Sequence, residues 1–376
     1  MGLTFDRDRA PSILWFYFGP SAYLPLLDEE GGSYAETETW LSMSRERSPV
    51  PLRFVHDFEP GLQRVTAAAG FAYLDEHGAL VEDLVVLDRI RRLAIPPAWT
   101  SVWIAPDDDS HLQATGVDSR GRKQYRYHPA WQHERDQLKF HDMEAFGRAQ
   151  PRLRRRIELG LGDESEPLSH RRVLALSLRL LDIGLLRVGS DRYARENKHY
   201  GLTTLLREQV TVRPDHAVFD YVGKAGKRQR LTIADAPALG MLAALKRRRQ
   251  GPRELLVFRA AHAWTRVHRE DVNNFLRAES GGPFSAKEYR TWNATVIAAA
   301  TLATLEPRPS RAATVASRAV AAALGNTPTV ARQSYIDPRV FERFNDGRAI
   351  ALDRLPSEPW HARMRIEDRV LQMLSA

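Results

Sequence analysis

The segment from Arg120 to His128 combines the two kinds of side chain that a nucleic-acid groove needs. It reads Arg-Gly-Arg-Lys-Gln-Tyr-Arg-Tyr-His, so that cations are interleaved with aromatic rings. Cations bind backbone phosphates and flat rings stack on bases, which makes the segment a candidate contact surface for nucleic acid. The predicted contact residues are Arg120, Arg122, Lys123, Gln124, Tyr125, Arg126 and Tyr127.

The overall charge favours a polyanionic partner but does not establish one. The chain of 376 residues carries 55 Lys and Arg against 47 Asp and Glu, a formal net charge of +8. Two further basic runs, 152–156 and 246–249, are equally compatible with solvated helix or loop faces. The 43% hydrophobic and 27% charged content is typical of a soluble globular protein.

The composition and the short motifs exclude several kinds of site. The chain has no cysteine, which excludes disulfides, cysteine-type zinc sites and thiol catalysis. Its twelve histidines show no metal-ligand spacing. The segment Gly223–Lys227 lacks the spacing and the Ser or Thr of a phosphate-binding P-loop. No apolar run reaches membrane-spanning length, which predicts a soluble cytoplasmic protein with no membrane partner.

The first third of the chain divides into two parts. Residues 1–52 show no sustained period and are predicted to be a poorly ordered extension. Residues 53–132 mix strand and helix patterns and are predicted to form a small α+β domain. Strands are predicted at 71–74, 102–105 and 124–128, and a helix is predicted at 83–93, where two prolines stop it.

Residues 137–376 are predicted to form a mainly helical domain. The dense apolar spacing at 173–186 predicts a buried helix. The hydrophobic period then changes to two, which predicts three short strands at 210–212, 217–222 and 228–233.

Helix start and stop signals become clear toward the end of this domain. A Ser-x-x-Glu capping box at 285–288 opens a long helix. The pattern over 312–324 predicts another helix, which ends at Gly325. The Thr-Pro pair at 327–328 then caps a last helix that carries Tyr335 in its second turn.

Four motifs follow one another in a fixed order along the helical domain. They are Leu186–Thr204 with Arg187, Tyr221–Lys227 with Lys224, Lys287–Arg290, and Ser334–Ile336 with Tyr335. The set resembles the signature of type IB DNA topoisomerases of the poxvirus-like and bacterial branch. Ile95–Trp99 and Ser119–His128 also resemble the bacterial members, and the similarity runs from roughly residue 56 to 345.

This resemblance implies a fold, an activity and a partner. The fold class is α+β: a small N-terminal α+β domain followed by a mainly α-helical catalytic domain of the tyrosine recombinase and type IB topoisomerase kind. The two domains would close as a clamp around duplex DNA, with the enzyme acting as a monomer without cofactor or metal ion. It would relax supercoiled DNA by nicking and resealing one strand, associated with the nucleoid.

The resemblance also assigns a role to one residue in each motif. Tyr335 would attack the scissile phosphate and form a 3′-phosphotyrosyl bond, which conserves bond energy for resealing. Arg187 and Arg290 would neutralise charge on the nonbridging oxygens, since guanidinium groups match phosphate oxygens and stay protonated. Lys224 would protonate the leaving 5′-oxygen as a general acid.

One position departs from the family pattern. Nine residues before the nucleophile many members carry a histidine that bonds a nonbridging oxygen, and this chain has Asn326. Asn is a neutral donor that can keep the hydrogen bond without contributing charge. We therefore place Asn326 in the catalytic set and predict that Asn326→Ala slows cleavage more than Asn326→His.

Two alternative functions stay open at this stage. A tyrosine site-specific recombinase shares the Arg, Lys, Arg and Tyr plan, but it usually has His-x-x-Arg where this chain has Lys287-x-x-Arg290. An inactive DNA-binding clamp is the second alternative, because Asn326 replaces a catalytic histidine. Taken singly, each residue also has an ordinary interpretation, such as an exposed hairpin lysine or a core tyrosine. Only their joint order favours catalysis.

Overall fold

The structure, a computed structural model, describes residues 52–68, 70–119, 121–260, 263–305 and 310–376, with the backbone alone for 133–139 and 141. The described residues fall into two compact units, one that ends at Lys139 and one that spans Phe140–Ala376. The first contains a sheet and the second is mostly helical, which confirms the predicted fold class. The predicted extension, apart from Leu52, lies outside the described residues, and so does Arg120.

The N-terminal unit is built on a five-stranded antiparallel sheet. Its strands are β1 (Leu62–Ala67), β2 (Gly70–Leu74), β3 (Thr100–Ile104), β4 (Leu112–Val117) and β5 (Lys123–Tyr127). They lie in the order β2-β1-β3-β4-β5, which makes β5 an edge strand. The predictions for β2, β3 and β5 are confirmed. We did not predict β1 and β4, because polar residues such as Gln63 and Thr115 interrupt their apolar pattern.

One helix, α1 (Leu84–Arg92), covers this sheet. It begins where the Asp83 side chain accepts the Val85 amide at 2.8 Å, as an N-cap residue does. Ile90 on its inner face packs in a small core together with Leu62 of β1 and Ile104 of β3. The predicted helix over 83–93 is therefore confirmed.

The C-terminal unit consists mainly of helices. They are the larger part of α2 (Pro129–Gly162), then α3 (His170–Gly184), α4 (Asp191–Asn197), α5 (Ala236–Arg247), α6 (Arg269–Ser280), α7 (Ala286–Ala303), α8 (Ala312–Leu324), α9 (Pro328–Ser334), α10 (Arg339–Asn345) and α11 (Pro359–Ser375). None of the described helices is both long enough and apolar enough to cross a membrane.

The two central helices are α3 and α7, and both are almost entirely buried. Every residue of α3 from Val173 to Asp182 is buried, and α3 packs against α5, α6 and α7. The helix ends two residues earlier than predicted, because Leu185 takes a left-handed conformation with φ of 51°. At the start of α7, Glu288 accepts the Ser285 amide at 2.6 Å, so the predicted capping box is confirmed.

Two small sheets complete the unit. The strands β6 (Val210–Val212), β7 (Ala217–Val222) and β8 (Arg228–Ile233) form an antiparallel sheet with the bounds that the period of two predicted. A separate hairpin joins β9 (Val257–Ala260) to β10 (Ala263–Arg266). The turn between β7 and β8 of the first sheet carries Lys224, one of the predicted site residues.

A buried ion-pair network connects three helices of this unit. We use that name for Arg154 on α2, Asp182 on α3, and Arg363 and Glu367 on α11. Arg154 Nε donates to Asp182 at 2.8 Å, and Arg363 Nε donates to Glu367 at 2.9 Å. Arg363 also donates to Asn293 of α7 at 2.9 Å. Two cations and two carboxylates thus cancel within the core.

The end of the chain differs from the prediction in two ways. Tyr335 does not lie in the second turn of α9, because the helix stops at Ser334 and Tyr335 is its C-cap residue. That helix is also not the last one, since α10 and α11 follow it. The helix α11 contributes Arg363 to the core, which the polar sequence around it did not reveal.

Candidate active site

Arg187 stands on the extended chain that follows α3, and main-chain contacts fix its backbone. Its carbonyl oxygen accepts the Leu202 amide at 2.8 Å. Gly201 permits this approach, because a Cβ at that position would lie 2.6 Å from Gly189 Cα and 2.8 Å from the Arg187 carbonyl oxygen. The two glycines of the 186–204 motif therefore bring two chain segments together and hold Arg187 in place.

Arg290 lies just beyond the first turn of α7, and its side chain is buried. It donates to the carbonyl oxygen of Leu185 and, from Nη2 at 2.9 Å, to that of Leu324. Carbonyls at helix ends lack donors within their own helix, so Arg290 joins the ends of α3 and α8. Its Nε is buried without an acceptor among the described residues. One donor of a buried guanidinium group is therefore available to a ligand.

The turn between α8 and α9 positions Asn326. It begins at Gly325, whose φ is 65° and whose backbone lies so close to Gln229 that a Cβ would be 2.8 Å from Gln229 Oε1. Asn326 Oδ1 accepts a hydrogen bond of 2.7 Å from Arg187 Nη2. Its Nδ2 is buried and has no acceptor in the described part of the chain. The bond with Arg187 thus orients the amide and leaves a second donor beside it.

The buried ring of Tyr335 lies beneath the guanidinium group of Arg290, whose central carbon is 5.5 Å from the ring centroid. The backbone around Tyr335 is held by Thr295 of α7. Thr295 Oγ1 lies 3.4 Å from the Tyr335 carbonyl oxygen, to which it donates, and it accepts the Asp337 amide at 3.1 Å. Because Thr295 is five residues after Arg290, one helix positions both the predicted nucleophile and a predicted phosphate-binding arginine.

Lys224 lies in the tight turn between β7 and β8. The turn is a short 3₁₀ segment, Lys224–Gly226, in which Ala225 and Gly226 have φ values of 63° and 75°. The Lys224 side chain is partly exposed. Lys227, which follows the turn, has a buried amino group with no acceptor among the described residues, and desolvation lowers its pKa. The hairpin therefore presents two lysines with different surroundings.

The structure brings four of the five predicted catalytic residues together as two contacting pairs, which meet at the end of α8. We call Arg187, Arg290, Asn326 and Tyr335 the site cluster. Arg187 binds Asn326 directly, and Arg290 binds both the end of α8 and the ring of Tyr335. Lys224 is connected less directly, through Gln229 on the strand that follows its turn, since Gln229 packs against Gly325.

Tyr221 also lies at this site, although sequence analysis assigned it no role. It is on β7, paired with Gln229 of β8, and its side chain is buried. Burial raises the pKa of Tyr221 to about 12, against the opposing effect of the positive charges of Arg187 and Arg290. A strand alternation pattern shows that such a ring faces inward, but it cannot show which charges the hydroxyl meets.

In the N-terminal unit, the described contact candidates occupy both faces of the edge strand β5. Lys123, Tyr125 and Tyr127 alternate along one face, and Gln124 and Arg126 point to the other. The rings of Tyr125 and Tyr127 stack with centroids 6.0 Å apart, and Lys123 Nζ lies 5.7 Å from the Tyr125 centroid. One face of the strand thus combines a cation with two parallel rings, which suits a sugar-phosphate backbone and exposed bases.

Two carboxylates partly neutralise this basic segment. Asp57 lies 2.5 Å from Lys123 Nζ, and Asp118 lies 2.6 Å from Arg122 Nη2. Partial burial opposes ionisation of Asp57, but its hydrogen bonds with Lys123 and Thr115 outweigh burial and lower its pKa. A phosphate that binds here must therefore compete with internal anions.

The other two basic runs contribute to the core instead of forming solvated faces throughout. Arg154, from the run 152–156, belongs to the buried ion-pair network. Arg248, from the run 246–249, is buried and donates to main-chain carbonyls. Its acceptors are the carbonyl oxygens of Leu245, Pro252, Glu254 and Leu255. A run of charges in a sequence does not show which member turns inward.

The site cluster has the groups that nucleophilic attack on an anionic ester requires. Guanidinium and amide donors can hold nonbridging oxygens, and a tyrosine can supply the attacking oxygen. Across the described residues, no three His, Asp or Glu side chains come together as a metal site. The chemistry that this geometry supports is therefore attack by a side chain on a phosphodiester bound through cationic and neutral donors.

Comparisons with known proteins add an independent finding. Residues 128–350 match the family described as the catalytic core of eukaryotic DNA topoisomerase I, which is more than half of the chain. Residues 70–118 match the N-terminal domain of bacterial DNA topoisomerase IB. The chain is also 30% identical over 292 residues to DNA topoisomerase 1B of Acanthamoeba polyphaga mimivirus, which covers 74% of this chain and 86% of that protein.

Proposed function

The chain belongs to the type IB DNA topoisomerase family, and from this premise we propose how its residues cleave and reseal one strand of duplex DNA. Family membership makes it an isomerase that acts on DNA. The observation that carries the residue assignment is the site cluster, in which Arg187 binds Asn326 and Arg290 lies over the ring of Tyr335. The assignment uses groups from one chain only, so we propose a monomeric enzyme that works on nucleoid DNA in the cytoplasm.

In the cleavage step, the Tyr335 oxygen attacks the scissile phosphorus. A bond forms between that oxygen and the phosphorus, the bond from phosphorus to the 5′-oxygen breaks, and the phenol proton passes to solvent. The 3′ end is then held as a phosphotyrosine and the other end is a 5′-hydroxyl. Resealing is the reverse attack by that hydroxyl, so neither nucleotide energy nor a cofactor enters the balance.

Arg290 and Asn326 support this role because each keeps a buried donor without an acceptor among the described residues. Leaving such donors unpaired costs free energy, and a nonbridging phosphate oxygen would satisfy them. Arg187 adds a second guanidinium group and fixes the Asn326 amide. The charge that develops on the phosphate would thus meet preorganised donors, which is the most effective way to lower such a barrier.

We assign the proton transfer to Lys224, at the tip of the β7–β8 turn. The 5′-oxygen is a poor leaving group unless a proton reaches it, and a lysine on a turn can approach it from outside the buried cluster. The nearby Lys227 is the rival group, since burial lowers its pKa and it has no acceptor in the described ranges.

The stacked face of β5 is our proposed duplex contact in the N-terminal unit. Lys123 would exchange its pairing with Asp57 for a phosphate, while Tyr125 and Tyr127 offer flat rings. Binding through phosphates releases counterions, so affinity should fall steeply as salt rises from about 50 to about 200 mM. A flat salt response would count against this surface.

The deciding experiment is relaxation of supercoiled plasmid in EDTA without ATP, run beside Tyr335→Phe. We expect relaxation by the unaltered protein, and DNA binding but no relaxation by the variant. Relaxation by both proteins would mean that another group is the nucleophile. Denaturation during the reaction should trap a protein–DNA adduct, and its absence together with intact DNA binding would favour the inactive clamp. Exchange of strands between two specific sites would instead indicate a recombinase.

A second experiment separates the two lysines. With a 5′-bridging sulfur in place of oxygen, the leaving thiolate needs no proton, because a thiol is far more acidic than an alcohol. The cleavage defect of Lys224→Ala should therefore shrink on that substrate. If Lys227→Ala shows this leaving-group dependence and Lys224→Ala does not, the general acid is Lys227.

A further inference from the structure

Tyr221 is a buried tyrosine near the site cluster to which the proposed function assigns no role. It lies on β7, three residues before Lys224, and shares the inward face of the strand with Ala217 and Phe219. Ala217 and Phe219 have no exposed surface, whereas Tyr221 keeps 7% of its surface exposed. The ring is thus packed like a core residue at the end of the strand that faces the catalytic turn.

The neighbours of Tyr221 place it beside the site cluster. Its partner across the sheet is Gln229, and the Gln229 amide packs against Gly325, the residue before Asn326. The positive charges of Arg187 and Arg290 both act on the Tyr221 phenol. The strand pairing therefore places Tyr221 near the α8–α9 turn that carries Asn326, within the electrostatic influence of the two guanidinium groups that we assign to the nonbridging oxygens.

The Tyr221 hydroxyl is suited to donate and is not occupied by the fold. Within the described ranges no hydrogen bond holds it. Burial keeps its pKa near 12 in spite of the two arginines, so the phenol stays protonated at neutral pH. It is therefore a hydrogen-bond donor and not a second nucleophile.

We propose that the Tyr221 hydroxyl donates a hydrogen bond to a nonbridging oxygen of the scissile phosphate and is a further catalytic residue of this enzyme. The proposal rests on the proposed function, because it needs the phosphate at the site cluster. It also gives a reason for the site to work with Asn326, a neutral side chain: a second neutral donor from β7 adds to the one from the α8–α9 turn.

The test is the single-turnover rate at which a short duplex becomes covalently attached, measured for Tyr221→Phe. We expect a loss of about 10- to 100-fold, the rate equivalent of one hydrogen bond to a charged group. Duplex affinity should stay unchanged, because the ring and its packing are kept. The matched control is Tyr289→Phe, which removes a fully buried hydroxyl that also has no acceptor among the described residues.

A modified substrate distinguishes a hydrogen bond to the phosphate from a structural effect. In a methylphosphonate a methyl group replaces one nonbridging oxygen, and the two diastereomers place it differently. For the diastereomer that lacks the oxygen bound by Tyr221, the unaltered protein and Tyr221→Phe should cleave at the same rate, while the other diastereomer keeps the difference.

Two results would overturn the proposal. One is equal cleavage rates of Tyr221→Phe and the unaltered protein on the natural phosphate. The other is an equal loss on the phosphate and on both diastereomers, which would indicate that the hydroxyl acts only on the fold. If the unaltered protein forms no adduct at all, the proposed function fails instead, so the two failures are distinguishable.

Discussion

The C-terminal unit contains two groups of arginines that differ in what balances their charge. In the ion-pair network, Arg154 and Arg363 meet Asp182 and Glu367, so the charges cancel within the fold. In the site cluster, Arg290 meets two main-chain carbonyls and a ring, and no described carboxylate pairs with it. The charges of the first group cancel, whereas Arg290 in the second group has no counterion among the described residues.

This difference separates arginines that stabilise the fold from an arginine that can bind a ligand. A buried charge without a counterion is costly, and an anion from outside the fold is one way to offset that cost. The buried donors of Arg290 and Asn326 that lack an acceptor among the described residues are costly in the same way, and a bound ligand would satisfy them. A scissile phosphate would complete the site cluster as Asp182 and Glu367 complete the network.

The largest effect that we expect is on stability, from Asp182→Asn in the network. Removing one partner leaves buried arginines short of a counterion, which lowers the free energy of unfolding by about 3–5 kcal/mol. Urea denaturation measures this directly. The cleavage rate of the folded protein at low temperature should change little by comparison. A stable Asp182→Asn protein with poor cleavage would contradict the division between the two groups.

Arg290→Lys tests whether the site cluster serves cleavage more than stability. Lysine keeps the charge but has a single nitrogen, which cannot reach the acceptors that the three nitrogens of the planar guanidinium group address, so we expect single-turnover cleavage to fall by about 10²–10³-fold. Arg363→Lys is the matched variant in the network, and it should lower the unfolding free energy more than the cleavage rate. If the two variants change the cleavage rate and the unfolding free energy equally, the site cluster and the network do not differ in role.

Substitutions of Asn326 change the charge balance of the site cluster with little change in shape. Asn326→Asp places a carboxylate next to Arg187 and makes the cluster resemble the network, so we expect cleavage to fall by about 10²-fold, more than in Asn326→Ala. Asn326→His keeps a hydrogen-bond donor, so we expect its cleavage rate to fall less than that of Asn326→Ala. Similar single-turnover rates for Asn, Ala and His would remove Asn326 from the catalytic set.

The smallest expected effect is a loss, at acid pH, of the stability that the ion-pair network contributes. Burial alone would raise the pKa of Asp182, but the charges of Arg154 and Arg363 outweigh burial and lower it. A carboxyl with a lowered pKa in the folded state stabilises the fold above its unfolded pKa of about 4, and this stabilisation is lost as the pH falls through the lower folded value.

The difference in unfolding free energy between the unaltered protein and Asp182→Asn should therefore be constant from pH 7 to about pH 5, and it should shrink below about pH 4. Urea denaturation of both proteins at each pH measures it. A difference that already shrinks between pH 7 and pH 6 would show that the carboxylate is not held by the two arginines.

Features set by neighbouring residues were predictable from the sequence. The strands β6 to β8 and the helix α8 have the predicted bounds, because side-chain period and the left-handed Gly325 act within a few residues. The four motifs, together with one departure from the family pattern, predicted five catalytic residues, and the site cluster contains four of them. These signals are local or are carried by family resemblance.

Features that depend on distant partners were not predictable. Arg154 lies in a run of charges that is equally typical of a solvated face, and its partner Glu367 is 213 residues away. Thr295 and Tyr221 occupy ordinary helix and strand positions, and only the fold shows that one supports Tyr335 and the other faces two arginines. The helix boundary at Leu185 was also missed, because nothing in its neighbours requires a left-handed residue there.

The position of α11 in the ion-pair network has a consequence for how the protein is made. A ribosome synthesises Arg154 and Asp182 first, and it adds Arg363 181 residues after Asp182. Until then the ion-pair network lacks two of its four members, although Arg290 and Tyr335 have already been made. A product that ends between Tyr335 and α11 would therefore carry every proposed catalytic residue on a scaffold that lacks two of the four members of the network.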